Sequence, residues 1–417
     1  MQTQLSTSLL STERGREADA ILRRCVHCGF CNATCPTYQI IGDELDGPRG
    51  RIYLIKQMLE GDVEGGITRL HLDRCLTCRS CETTCPSGVQ YERLLGIGRE
   101  YLEQHTERPL QDQILRWGLS NFLSRPARFR VLLRLTNLMR SLLPGFIRNA
   151  LPLQTSTSAS SGSGLLDKGW PTECHARRMI LMRGCVQDVV AQNINQATAQ
   201  VLDQLSISAI RVEGEGCCGA LDQHLTELEK ARNFMRRNID SWWSYIEQEE
   251  QGIEAIISTS SACGLQVKDY GYLLKDDPDY ANKAARVSAL VKDISEVLGQ
   301  EVARPVESNI RKVAFHAPCT LTHGQKLDGL VEGILQRWGY ETVPVADSHL
   351  CCGSAGTYSI LNPELAEILR TNKLTALQTH QPDMIASANI GCLLHLQKSA
   401  TVPVKHWVEL LVDSGTQ

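Results

Sequence analysis

Residues 25–36 read CVHCGFCNATCP, and residues 75–86 read CLTCRSCETTCP. Both follow C-x2-C-x2-C-x3-C-P, which places Cys25, Cys28, Cys31 and Cys35 before Pro36, and Cys75, Cys78, Cys81 and Cys85 before Pro86. Three cysteines two residues apart curl the backbone around one face of a cubane and offer it three soft thiolates. The fourth, past a longer gap and before proline, is turned toward the other cluster of a pair. The spacing predicts two [4Fe–4S] clusters. Cys25, Cys28, Cys31 and Cys85 would hold one, and Cys75, Cys78, Cys81 and Cys35 the other.

Structural zinc also uses C-x2-C pairs, but it needs four ligands per ion and not a three-cysteine clasp followed by Cys-Pro. A disulfide framework belongs to oxidising compartments, and no signal-peptide pattern precedes the cysteines. Between the runs, residues 42–51 (GDELDGPRGR) read as a turn, and residues 52–60 as a helix packed between the clusters. Arg49 and Arg51 stand either near cluster charge or on a capped surface helix. His27 and His71, beside ligand positions, read as hydrogen bonders to ligands, since four cysteines per cluster suffice.

The chain has 417 residues, enough for two or three domains, with a net charge of −4 and a pI near 6.3. That balance and an aromatic content of 5% argue against nucleic acid as a partner. No apolar run approaches the roughly 18 residues that would span a bilayer. Arg23-Arg24 is followed by cysteines, not by the apolar segment of an export signal. The expected location is cytoplasmic.

Residues 108–150 hold eight arginines, no lysine and a single acid, Asp112, with apolar residues at helical intervals. Basic amphipathic helices of this kind lie on anionic membrane surfaces or dock on acidic partners, or simply cover a core with a solvated basic face. Residues 154–164 (QTSTSASSGSG) read as a flexible linker. The expected division is 1–107 for the cluster domain, 108–170 for basic helices and linker, and 171–417 for a tandem repeat (171–305 and 306–417).

The repeat is visible in the cysteines. Cys185, Cys217, Cys218 and Cys263 recur as Cys319, Cys351, Cys352 and Cys392, with Cys-Cys-Gly in both copies. Short apolar runs at 179–182 and 313–315 lead to the first cysteine. Helices are expected at 194–205 and 327–338, second strands at 207–212 and 341–345, and third strands at 255–258 and 384–387. Strand–helix alternation predicts parallel sheets, with the cysteines beyond the carboxyl ends of the strands and the halves facing across a pseudo-twofold. Residues 214–219 (GEGCCG) match G-x-G-x-x-G, but after the second strand of their unit instead of the first, which argues against a dinucleotide fingerprint. With no flavin, nicotinamide or P-loop motif left, the chain is expected to carry electrons and to hold no catalytic residue for the organic substrate. The repeat cysteines are open to two roles, a third metal site or reactive thiols. Cys174 lies outside the repeat and reads as structural or incidental.

Two ferredoxin-type runs followed by two Cys-Cys-Gly repeats resemble the iron–sulfur subunits of glycolate oxidase, most specifically in residues 21–91 and at the cysteine loops. Iron–sulfur subunits of lactate-utilisation complexes and of anaerobic glycerol-3-phosphate dehydrogenase, and heterodisulfide reductase subunits, are related alternatives. The resemblance implies an α/β fold with a helical part: a two-cluster ferredoxin-like domain, then a duplicated parallel α/β domain. It implies an oxidoreductase complex at the inner membrane that converts glycolate, and D-lactate, to the oxo acid. Flavin-binding subunits would supply electrons that this chain relays toward a quinone or another membrane acceptor. Heterodisulfide reductase repeats carry a further cysteine where Gln266 and His395 stand here, so a five-cysteine cluster is not expected. A four-cysteine site on Cys185, Cys217, Cys218 and Cys263, or on Cys319, Cys351, Cys352 and Cys392, stays open beside a thiol–disulfide role.

Overall fold

A computed structural model describes residues 1–61, 65–138, 169–248, 252–303, 305 and 312–412. The expected linker at 154–164, the arginine-rich residues 139–150 and residues 306–311, beside the expected junction between repeats, lie outside them. The fold is α/β with a helical part, and the chain divides into two compact units that interleave along the sequence.

The first unit comprises Met1–Ile114, Ala317–Asp328 and Val345–Leu377. Its core lies among the helices Glu13–Arg24, Pro48–Leu59 and Tyr91–His105, where Ala18, Ile21, Leu22, Ile55, Met58, Leu94 and Leu95 are almost fully buried. The apolar residues recur at helical spacing, so each helix turns one stripe inward. Thr12 starts the first of these helices by accepting from the Gly15 N–H at 3.0 Å. Pro48 opens the second, where its missing N–H costs nothing. A Cβ on Gly50 would stand 2.1 Å from the Glu44 carbonyl oxygen, so this turn of the helix approaches the preceding 3-10 turn (Glu44–Asp46) too closely for any side chain.

The second unit comprises Leu115–His316, Gly329–Pro344 and Gln378–Gln417, and holds two four-stranded parallel sheets. The first contains β1 (Arg177–Leu181), β2 (Ile207–Ile210), β3 (Ala255–Ser258) and β4 (Val291–Asp293), in the order β2-β1-β3-β4. The second contains β5 (Lys312–His316), β6 (Glu341–Val343), β7 (Met384–Ser387) and β8 (Val404–His406), in the order β6-β5-β7-β8. The interior strands β3 and β7 are buried along their whole length, which is why they read as apolar runs closed by a serine and not as alternation. The edge strands β4 and β8 are only three residues long and escaped the sequence reading. Equivalent loops after β3 and β7 touch: Ser260 Oγ donates to Asn389 Oδ1 at 2.7 Å, the kind of contact between equivalent positions that a local twofold brings about.

The helices Leu110–Phe122 and Pro126–Leu138 carry the described part of the arginine-rich stretch. Phe129 and Leu133 are buried, but Leu110, Ile114, Trp117, Val131, Leu135 and Leu138 are exposed. Arg108 does not belong to a solvated basic face. It is buried against Asp73 (2.6 Å), Asp112 (2.9 Å) and Glu103 (2.5 Å). No described helix is long and apolar enough to cross a membrane.

Candidate iron–sulfur centres

Each C-x2-C-x2-C clasp is shaped by two left-handed residues. His27 and Gly29 have φ of 58° and 85°, and their counterparts Thr77 and Arg79 have 52° and 62°. Such angles turn successive cysteines toward one side, at about 1–2 kcal/mol for each non-glycine residue. A Cβ on Gly29 would stand 2.7 Å from Arg49 Nη1, the far end of a flexible side chain that can move aside, so it is the positive φ that favours glycine there. The third cysteines lie on the short helices Phe30–Ala33 and Ser80–Thr84. Cys35 caps the helix Pro36–Ile41, whose first position is the proline of the motif.

Two cavities result. One, of about 440 Å³, is lined by Cys25, Cys28, Cys31 and Cys85, with Cys81 also on its wall. The other, of about 310 Å³, is lined by Cys35, Cys75, Cys78 and Cys81, together with Arg51 and Tyr91. Burial pushes the Cys31 thiol up to about 11, with the neighbouring Cys25 and Cys85 adding to it. Burial also drives Cys78 and Cys81 well above the ordinary thiol range. Thiols crowded in this way resist ionising together, and a cation-rich core between them removes that resistance. The donor set therefore fits iron–sulfur clusters.

Charge is distributed unequally around the two cavities. Arg51, 1% exposed, sends Nε–H to the His71 carbonyl (2.7 Å), Nη1 to Thr37 Oγ1 (3.1 Å) and to Cys35 Sγ (4.0 Å), and Nη2 to Asp46 Oδ1 (3.3 Å). Asp46, fully buried, also pairs with Arg74 (2.9 Å) and faces His71 Nδ1 (3.1 Å). Tyr91 donates its hydroxyl to Cys75 Sγ at 3.6 Å. Arg49, at the first cavity, is half-exposed and neutralised by Glu44 through bonds of 2.6 and 3.1 Å. His27 likewise lines the first cavity rather than a ligand set of its own. Spacing singled out Arg51 but not Asp46 or Tyr91, because their burial comes from elements distant in sequence.

Part of the second repeat lies in this same unit. Cys319 and Cys78 pack on one cluster with Leu76, Cys351, Tyr358, Ala366 and Leu369. His323 donates Nε2–H to the His349 carbonyl (2.8 Å), which leaves Nδ1 to accept from Thr83 Oγ1 (3.1 Å). Cys319 is pushed up by its bond to Cys351 and by burial. Lys373, also buried, donates to the carbonyls of Asp347 (2.7 Å) and Ser348 (3.4 Å), and the thiols of Cys352 and Cys351 oppose the effect of burial on its ammonium.

In the second unit the first copy gathers four thiols. Cys185 follows β1, Cys217 and Cys218 follow β2, and Cys263 lies on the helix Ser261–Lys268 after β3. Cys217 bonds to Cys185 and Cys218, which raises it, and Cys263 bonds to Cys218 with the same result. Cys218, bonded to both Cys217 and Cys263, is held well below the ordinary thiol range by those bonds. Gly219, at φ 90°, lets the Cys-Cys-Gly loop lie 3.0 Å from the Ala231 carbonyl, measured from where a Cβ would stand. Gly353 repeats this at 2.7 Å from Ala366. The G-x-G-x-x-G match in this loop is no phosphate cradle: the Gly216 N–H is bonded to Asn238 Oδ1 (2.8 Å), and Glu215 buries a carboxylate there. Cys392 sits on the helix Ile390–Gln397 after β7, and its Sγ accepts from Asn389 Nδ2 at 3.4 Å. Cys174 is exposed.

Comparison with known proteins places these elements. The family described as "4Fe-4S dicluster domain" matches residues 21–89, and that described as "Cysteine-rich domain" matches 180–268 and 313–397. The glycolate oxidase iron-sulfur subunit of Escherichia coli K12 is 51% identical over 99% of this chain and 98% of its own length. A probable glycolate oxidase iron-sulfur subunit of Bacillus subtilis is 27% identical over 94% of each. Lactate utilization protein A of Bacillus licheniformis is 24% identical over 54% of this chain and 95% of its own length. A solved structure of a hypothetical protein from Helicobacter pylori matches with TM-score 0.55 at 9% identity, covering 96% of this chain and 72% of that one, a likeness of fold alone. With half of its residues identical along nearly the whole of both chains, and with paired thiol-lined cavities ahead of a twofold Cys-Cys-Gly repeat, the chain belongs to the family of glycolate oxidase iron–sulfur subunits.

Proposed function

We propose that this chain is the electron-relaying subunit of a complex that oxidises glycolate, and D-lactate, to the corresponding oxo acid. The observation that carries the reading is the pair of cavities, the first walled by five cysteines and the second by four, each set drawn from both runs and Cys81 common to both. Cys25, Cys28, Cys31 and Cys85 would hold one [4Fe–4S] cluster, and Cys75, Cys78, Cys81 and Cys35 the other. Such clusters supply one-electron chemistry without proton transfer. The chain's own residues bury Cys25, Cys35, Cys75 and Cys81 and supply the charges around the sulfurs. In this reading residues 1–107 relay, residues 108–170 anchor, and the tandem repeat 171–417 holds the remaining thiols.

Electrons would come from flavin-binding partner subunits, since the sequence carries no flavin, nicotinamide or P-loop motif of its own. Cys28 is exposed between Val26 and Phe30, themselves 66% and 62% exposed, so a donor can reach the first centre there. A quinone-type acceptor would receive the electrons. The exposed apolar positions of the helices Leu110–Phe122 and Pro126–Leu138 support peripheral contact with the inner membrane. The bonded thiols Cys185, Cys217, Cys218 and Cys263 are a four-cysteine set fit for a further iron–sulfur site.

The test is anoxic purification of the intact complex. About eight irons are expected from the two cubanes, with more if the third set is filled. Glycolate should reduce the clusters, and Cys28→Ser or Cys78→Ser should abolish turnover with an artificial acceptor. Colourless protein with stoichiometric zinc, or full turnover in both variants, would overturn the reading.

A further inference from the structure

The two cavities differ in one respect that bears on the direction of electron flow. The second has a guanidinium that water does not reach, whose Nη1 lies 4.0 Å from Cys35 Sγ. Its partner carboxylate, Asp46, is shared with Arg74, so two cations face one anion. Thr37, which bonds Arg51 at 3.1 Å, also lies 3.3 Å from Cys35 Sγ and so ties the cation to the ligand loop. At the first cavity the corresponding side-chain charges cancel, Arg49 against Glu44, and both are open to solvent. The amino-terminal ammonium bonds the Cys25 carbonyl at 2.8 Å in a partly solvated position. A charge in a low-dielectric interior acts far more strongly than one screened by water. Adding an electron to a cluster adds a negative charge, so a buried cation favours the reduced form.

We infer that Arg51 is a positioning residue that holds the reduction potential of the centre on Cys35, Cys75, Cys78 and Cys81 above that of its neighbour. An electron arriving from the flavin-binding partner at the first centre then passes to the second and rests there. One electron moves, no bond is made or broken, and no proton is required. The inference rests on the two-cluster reading above.

The experiment is a redox titration of the intact complex followed by electron paramagnetic resonance, with iron counted in every sample. Arg51→Gln should lower the potential of the higher-potential cluster by at least 59 mV, a tenfold loss of electron occupancy for a one-electron couple, and leave the other in place. Arg51→Lys should restore most of the shift. Asp46→Asn removes the counter-charge from the same buried network and should move the same cluster upward by a comparable amount. Opposite shifts from the two variants mark an electrostatic role, since mere loosening of the site would move both the same way. Should Arg51→Gln lose a cluster, the sign of the Asp46→Asn shift decides the matter alone. Unchanged potentials with both clusters present, a shift in the lower-potential cluster, or shifts of the same sign would overturn the inference. A wild-type protein with fewer than two cluster signals would instead overturn the two-cluster reading itself.

Discussion

Lys373 occupies in the second copy the helix position that Asn238 occupies in the first. Each lies seven residues beyond the alanine, Ala366 or Ala231, whose carbonyl abuts the glycine of Cys-Cys-Gly. Asn238 is fully buried and neutral. It accepts from the Gly216 N–H (2.8 Å) and donates to the Cys217 carbonyl (2.8 Å) and to the Tyr270 hydroxyl (3.1 Å). Lys373 brings a charge to the equivalent place, spent on two backbone carbonyls beside Cys351 and Cys352. The copies share a backbone but not an electrostatic environment.

The two positions should not be interchangeable. Asn238→Leu strands the Gly216 N–H and the Cys217 carbonyl, at about 2–5 kcal/mol for two buried polar groups. Asn238→Lys adds a buried charge to that loss and should cost more. Lys373→Asn should cost less than either, since Lys373 carries two carbonyl bonds and Asn238 a closed network. Denaturant midpoints of the three variants give the ranking, and a Lys373→Asn loss as large as that of Asn238→Lys would contradict it.

Opposite pH responses are expected from another equivalent pair. Asp293 ends β4 and His406 ends β8, and each caps the helical turn that follows through a capping box with a glutamate. Burial raises Asp293 to about 6 and lowers His406 to about 4. Between pH 3.8 and about 6 the folded chain binds more protons at Asp293 than the unfolded chain does, so that group's contribution to stability falls as pH rises. Between about 4 and 6.5 the unfolded chain binds more at His406, so its contribution rises with pH. Each shift corresponds to about 3 kcal/mol, and in the wild type the two slopes largely cancel. Relative to wild type, Asp293→Asn should gain stability from pH 5 to pH 6.5, and His406→Gln should lose it. Thermal midpoints across that range decide, and parallel profiles would refute the pairing.

Phe30→Asp should weaken the electron-donating partner's grip on the exposed rim of the first centre. Phe30 is 62% exposed and lies outside the lining of the cavity, so iron content and fold should be unchanged. The expected outcome is at least a tenfold drop in glycolate-driven cluster reduction, with chemical reduction unaffected. Equal rates would place the donor elsewhere.

Membrane contact can be tested on apolar positions rather than on arginines as a class, since Arg108 is bound to three carboxylates and Arg130 pairs with Asp188. Replacing Leu110, Ile114, Trp117 and Leu135 with serine removes exposed apolar surface from both helices. The complex should shift toward the soluble fraction while keeping its iron. Unchanged fractionation would assign these faces to another contact.

Much of the architecture was legible in order and periodicity. The strands 255–258 and 384–387 are the observed β3 and β7, because a strand buried on both faces reads as a near-continuous apolar run. The three-residue β4 and β8 were not legible, since so short a segment carries no period; the equally short β6 was placed only because it leads into the second Cys-Cys-Gly. The basic stretch reads as uniform in sequence, yet Arg108 is claimed by Asp73 and Glu103 from other helices.

Local spacing alone determines how many soft ligands each clasp presents and which way they turn, because two intervening residues and a left-handed step are properties of a few consecutive bonds. The doubling of the cysteine loops is equally a matter of the chain's order. Which distant thiol closes each cavity, and that Arg51 and Asp46 are sealed beside one cavity while Arg49 and Glu44 stay wet beside the other, depend on burial. Burial is a property of packed helices, and it sets the dielectric in which every charge near the sulfurs acts.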